Sequence, residues 1–132
     1  MPSLPKVLVV DDDMNILAAF EDFLRRERCQ MLSATTAEEA LQKLQENLVD
    51  VLVTDVRLKF QSGVTFLLHV KESLPKIPVI VITGYPDLIT EQDARACGAD
   101  YFFLKPLEIV KLRGAVRECL SSHNKQRLGY TQ

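Results

Sequence analysis

The chain has 132 residues, enough for one domain with a sizeable core and too few for a second folded unit. Its 16 Lys/Arg stand against 18 Asp/Glu, a formal net charge of −2, so there is no strong pull toward nucleic acid or a membrane surface. No stretch approaches a membrane span, and "MPSLPK" is no signal peptide. Cys29, Cys97 and Cys119 lack metal-type spacing and read as buried or incidental thiols of a reducing cytosol, so a cytoplasmic protein without membrane partners is expected.

"KVLVV" (6–10) is too short for a buried helix and rich in β-branched residues, which predicts a strand buried on both faces. It runs directly into Asp11, Asp12 and Asp13. Leu17, Phe20 and Leu24 then repeat at three and four and predict a first helix. "QMLSA" (30–34) reads as the next strand, followed by a helix through Ala37, Ala40, Leu41 and Leu44 with Thr36 or Thr35 as its N-cap. "VDVLVTD" (49–55) is a third strand, and a helix from Val64 to Leu74 closes at Pro75. "IPVIVIT" (77–83) precedes a helix expected from Leu88 to Cys97, stopped by Gly98. "DYFFL" (100–104) precedes a last helix marked by Ile109, Leu112, Val116 and Leu120. Five βα units in strict alternation predict an α/β fold, a parallel sheet with helices on both faces. The tail "SSHNKQRLGYTQ" (121–132) loses the apolar rhythm and reads as frayed or extended helix, or as the start of a linker. From Lys105 onward six Lys/Arg face two Glu, too slight a bias to claim contact with DNA.

The carboxyl ends of parallel strands share one rim, where open α/β sheets place their ligands. That rim gathers Asp11, Asp12 and Asp13, then Asp55, Thr83 and Lys105. Carboxylates this close repel one another unless a cation sits among them, and Mg²⁺ is satisfied by two carboxylates, a backbone carbonyl and waters. A carboxylate such as Asp55 is a competent nucleophile toward phosphorus. A metal, an ammonium and a hydroxyl are the groups that gather phosphoryl oxygens where the transition state carries its charge.

Four motifs in order, "VLVVDDD", "VLVTD", "VIVITG" and "GADYFFLKP", span about residues 5 to 120, and on them the chain resembles the receiver domains of two-component response regulators, the CheY-like family. The resemblance implies a flavodoxin-like doubly wound (βα)5 fold with strand order 2-1-3-4-5, a receiver over 5–121 and a tail or linker start over 122–132. It implies that Asp55 is the phosphoacceptor, taking a phosphoryl group from a histidine kinase or a histidine phosphotransfer protein. Asp11 and Asp12 would form the acid pair, with Asp12, Asp55 and the backbone carbonyl of Arg57 ligating Mg²⁺ (or Mn²⁺). Thr83 and Lys105 would bind the phosphoryl group, Thr83 and Phe102 would act as the switch, and Lys105–Pro106 would be a cis peptide. The output would be a changed face of fourth helix, fifth strand and fifth helix (α4-β5-α5), read by an effector or by a second copy. Such a domain catalyses its own phosphorylation and dephosphorylation rather than turning over a separate substrate.

Where relatives often carry "MPGMDG" after the acceptor, this chain has "LKFQSG" (58–63), keeping Gly63 but placing Lys59 at the usual proline. Arg57 and Tyr85 are bulky residues near the expected phosphate and are read as tuners of its lifetime. Asp13 is either a third ligand or a helix-start acid favoured by the macrodipole. His69, within "FLLHVK", reads as a partly covered helix residue, and His123 lies in the tail. Two rival functions use the same letters. In a haloacid-dehalogenase-like phosphatase Asp11 would be the nucleophile and Asp13 the acid/base, but that family's later acidic motif and cap are missing. In a phosphate-independent scaffold the receiver fold alone would bind partners; the complete Asp–Thr–Lys set argues against it. No G-x-x-x-x-G-K-[ST] loop supports a nucleotide hydrolase.

Overall fold

The computed structural model describes residues 4–58 and 61–127, with side-chain surroundings for all of these except 61 and 123–127. Five strands form one parallel sheet: β1 (Lys6–Val10), β2 (Gln30–Ala34), β3 (Val51–Asp55), β6 (Val79–Thr83) and β7 (Tyr101–Leu104), in the order β2-β1-β3-β6-β7. Counted within that sheet alone, this is the 2-1-3-4-5 order. Two short strands, β4 (Arg57–Leu58) and β5 (Gln61–Ser62), pair antiparallel as a separate ribbon after β3.

The sheet separates two apolar layers. One carries Leu8, Leu52 and Val81 against α2 (Ala37–Glu46), α3 (Gly63–Ser73) and α4 (Glu91–Ala96). The other carries Val7, Val53 and Ile80 against α1 (Met14–Arg26) and α5 (Ile109–Arg127). Strands β3 and β6 are buried at every position, which explains their unbroken apolar runs. Each fully buried Leu, Ile or Phe in these layers contributes about 1.5–3 kcal/mol of transfer free energy.

Helix starts follow local chemistry. Asp13 caps α1 by accepting from the Asn15 amide, and Thr36 caps α2 by accepting from the Glu39 amide while Glu39 accepts from the Thr35 amide. Ser62 caps α3 through the Val64 amide. The fourth helix is shorter than its spacing predicts. A turn in which the Leu88 amide donates to the Tyr85 carbonyl occupies the residues after Pro86, and α4 begins only beyond its Thr90 cap. Leu88 is therefore exposed, while Ile89 alone reaches the core. Gly98 ends this helix at φ +110°, a backbone state that favours glycine. The last helix continues through Arg127, well into the segment where the apolar rhythm is lost. Lys59 and residues 128–132 lie outside the described residues, as does the side chain of His123. Among the described residues no helix is long and apolar enough to cross a membrane.

Candidate functional site

Register brings the rim together. Val10 pairs with Thr54, Asp55 with Ile82, and Thr83 with Leu104, so the ends of β1, β3, β6 and β7 lie side by side. One carboxylate oxygen each from Asp11, Asp12 and Asp55 falls within 4.8 Å of the others. Asp11 and Asp55 are buried and Asp12 is exposed on the rim.

Both oxygens of Asp11 are engaged. Oδ1 accepts from the Asp13 amide at 2.9 Å, and Oδ2 takes the Lys105 ammonium at 2.8 Å. Asp55 is held asymmetrically: Oδ1 accepts from the amides of Val56 (2.6 Å) and Arg57 (3.2 Å), while Oδ2 faces Lys105 Nζ at 3.0 Å. Burial pushes the Asp11 carboxyl above its ordinary value against the pull of Lys105 and the Asp13 amide. Burial also opposes the charge on Lys105, but its hydrogen bonds to Asp11 and Asp55 prevail and hold the ammonium above its ordinary value.

Lys105 reaches the site because its own amide donates to the Thr83 carbonyl at 2.8 Å, extending β7 along β6; the Lys105–Pro106 peptide is cis. The Thr83 hydroxyl is fully buried and its oxygen accepts from the Tyr85 amide at 2.8 Å, which leaves its proton free to donate. Phe102 is half-buried against the α2–α3–α4 layer, and Phe103 packs into the opposite one. The Arg57 guanidinium lies 4.5 Å from the centroid of the Tyr85 ring, so the two bulky rim residues touch each other. Asp13 uses its carboxylate to cap α1 and is exposed, so it stands as a helix-start acid. His69 lies on α3 and is exposed rather than partly covered as its place within "FLLHVK" suggested.

Two features were not visible in the sequence. The β4–β5 ribbon follows β3 directly, and its closure brings Gly63 against Val56: the Gly63 amide donates to the Val56 carbonyl at 2.8 Å. A Cβ on Gly63 would stand 2.3 Å from the Val56 Cα, so no larger residue fits without moving the backbone. The retained Gly63 of "LKFQSG" was the available signal for that approach, though not for the ribbon itself. The second feature is that both amides holding Asp55 Oδ1 come from the residues that lead into this ribbon.

Three carboxylates, an ammonium that bridges two of them and a hydroxyl thus meet at the ends of parallel strands. The profile of the response regulator receiver domain matches residues 7–117. The chain belongs to the receiver-domain family of response regulators. It is 31% identical over 115 residues to the transcriptional regulatory protein ZraR of Klebsiella oxytoca, an alignment covering 87% of this chain and 26% of ZraR. The chain thus spans about a quarter of that relative's length. A CheY-like receiver domain protein from Methanospirillum hungatei superposes with a TM-score of 0.85 at 28% identity, covering 94% of this chain and 99% of its own. The beryllofluoride-activated NtrC4 receiver domain dimer gives 0.83 at 32% identity, covering 89% and 98%. The receiver domain functions in phosphorylation-dependent two-component signalling.

Proposed function

We propose that Asp55 is the phosphoacceptor of this receiver. Its Oδ2 would attack the phosphorus of a phosphohistidine on a sensor kinase or a histidine phosphotransfer protein. The P–O bond forms as the P–N bond breaks, and the imidazole leaves with that electron pair. The observation that carries this reading is the asymmetry at Asp55: two backbone amides fix Oδ1, and Oδ2 is turned toward the one ammonium on the rim among the described residues. A nucleophile with its second oxygen locked has little orientation left to lose on reaching the transition state.

The cluster of hard oxygens on Asp11, Asp12 and Asp55 suits Mg²⁺ or Mn²⁺, with the Arg57 carbonyl as a further ligand. Such an ion supplies charge neutralisation for the incoming phosphoryl oxygens. The chain's own part is to bring Lys105 and the Thr83 hydroxyl to those oxygens. Lys105 would move its pairing from Asp55 to the new phosphoryl group, and Thr83 would donate the proton its hydroxyl has free. Phe102, paired on the neighbouring strand with Val81, two residues before Thr83, would then repack. The face formed by α4, β7 and α5 would change with it. Leu104, Ile109 and Val110 are exposed on β7 and α5, which supports contact there with an effector or a second copy. A cytoplasmic location fits partners of this kind.

The test is intact-protein mass after incubation with Mg²⁺ and acetyl phosphate, for wild type, Asp55→Asn and a chelator control. One phosphoryl group that requires both Asp55 and the metal is expected. Equal labelling of Asp55→Asn would sink the assignment.

A further inference from the structure

Strand β3 carries one polar side chain besides Asp55. Thr54 is 1% exposed, in a position where valine would have nearly the same shape and no polar atom to satisfy. Its hydroxyl donates to the carbonyl of Asp55 at 2.9 Å. At the other end of that same peptide unit, the Val56 N–H donates to Asp55 Oδ1 at 2.6 Å. A peptide unit is planar, so whatever fixes the direction of its C=O also fixes the direction of its N–H. The Thr54 hydroxyl, the 55–56 peptide and Asp55 Oδ1 therefore form one continuous chain of contacts, and Oδ2 is left facing Lys105.

We propose that Thr54 is a positioning residue for phosphoryl transfer: by gripping the Asp55 carbonyl its hydroxyl sets the 55–56 peptide plane, and through it the rotation that presents Oδ2. This rests on Asp55 being the phosphoacceptor. Thr54 touches neither donor nor metal in this role and acts only through the acceptor's own backbone.

The discriminating pair is Thr54→Val and Thr54→Ser. Valine keeps the packing and loses the hydroxyl; serine keeps the hydroxyl and loses a methyl. A role in core packing alone makes serine the worse substitution, whereas positioning makes valine the worse one. Two quantities are read on the intact chain: hydrogen exchange of the Val56 amide by NMR, and the rate of phosphorylation by acetyl phosphate with saturating Mg²⁺. For Thr54→Val the amide is expected to exchange about ten-fold faster and labelling to slow about ten-fold, the scale of one lost hydrogen bond. Thr54→Ser is expected within about three-fold of wild type in both, on the same scale. If acetyl phosphate does not label wild type, affinity for beryllofluoride with Mg²⁺ replaces the rate. A Thr54→Val protein with wild-type exchange, or with faster exchange and an unchanged rate, would overturn the proposal, as would serine failing as badly as valine. Asp55→Asn separates the two failures. If it labels like wild type, or if wild type neither labels nor binds beryllofluoride, the phosphoacceptor reading falls and this role falls with it. The Val56 exchange rates still report on the Thr54 grip in either case.

Discussion

The Lys105 ammonium stands 2.8 Å from Asp11 Oδ2, pairing two residues 94 positions apart at the carboxyl ends of β1 and β7. With Asp55 Oδ2 at 3.0 Å, one cation neutralises two buried carboxylates. Removing one partner of a buried pair leaves uncompensated charge and costs about 3–5 kcal/mol. Lys105→Met is therefore expected to melt well below wild type in chelator. Millimolar Mg²⁺ should raise its melting temperature more than it raises that of wild type, because the ion then supplies the positive charge that Lys105 brought to these carboxylates. Thermal unfolding of both proteins with and without Mg²⁺ checks this. Equal Mg²⁺ responses would show that Lys105 and the cation do not balance the same carboxylates.

Gly63 meets Val56 backbone to backbone. A methyl at position 63 would stand 2.5 Å from the Val56 carbonyl oxygen, and that neighbour cannot rotate away as a side chain would. Gly63→Ala is expected to cost about 1–3 kcal/mol, the usual range for overpacking. It should also weaken beryllofluoride binding, since the displaced residue, Val56, carries an amide that holds Asp55 Oδ1. Denaturant unfolding and beryllofluoride titration measure the two effects, and a stable variant with wild-type affinity would contradict the coupling.

The fold was legible because its signals were redundant. Runs such as "VLVV" and "VIVIT" admit only doubly buried strands, and the alternation with helical spacing then leaves a parallel sheet. The rim residues followed from topology, since each closes a strand. What stayed hidden depends on tertiary geometry. Leu88 and Ile89 continue a plausible helical spacing, yet the turn after Pro86 places Leu88 in solvent and starts α4 three residues later. The β4–β5 ribbon has two residues on each side, too few for any alternation to show. Thr54 reads as an ordinary β-branched strand residue until its hydroxyl is seen on the Asp55 carbonyl. Arg57 and Tyr85 were separately conspicuous, but 27 residues lie between them in sequence and only the fold stacks one on the other.

That Arg57–Tyr85 contact bears on how long a phosphoryl group would last. The pair stands beside the end of β3, where Arg57 also gives its amide to Asp55. Water reaching an acyl phosphate on Asp55 from this side would have to pass it. Arg57→Ala and Tyr85→Ala are each expected to speed loss of the phosphoryl group. The double variant should add little to either, because each side chain holds the other in place. At an exposed site the coupling is expected at about 0.5–1 kcal/mol. Dephosphorylation followed by mass after donor removal gives the four rates; lifetimes unchanged in both single variants would rule out shielding.

At alkaline pH the far end of the sheet is expected to lose stability first, before the rim, where the raised Lys105 ammonium gives up its contribution only as pH climbs past the ordinary 10.5. Burial pushes the Cys119 thiol from its ordinary 9.0 up to about 12. A hydrogen bond to Glu118, with some burial, pushes Tyr101 from 10.0 to about 12. The folded chain keeps both protons in a range where the unfolded chain releases them. Because the folded state then binds more protons, stability falls as pH rises from about 9 toward 12, and neither group contributes a slope below that window. The melting temperature is expected to hold steady near pH 8 and to decline above 9, and Cys119→Ala should flatten the first part of the decline. The same burial makes the thiol slow to react. At pH 8 iodoacetamide should modify half-buried Cys97 before Cys29 or Cys119, both of which are buried. Peptide mapping of the alkylated protein reads this directly. Early modification of Cys119 would mean that α5 opens locally, and the alkaline slope would then belong to that opening rather than to the folded thiol.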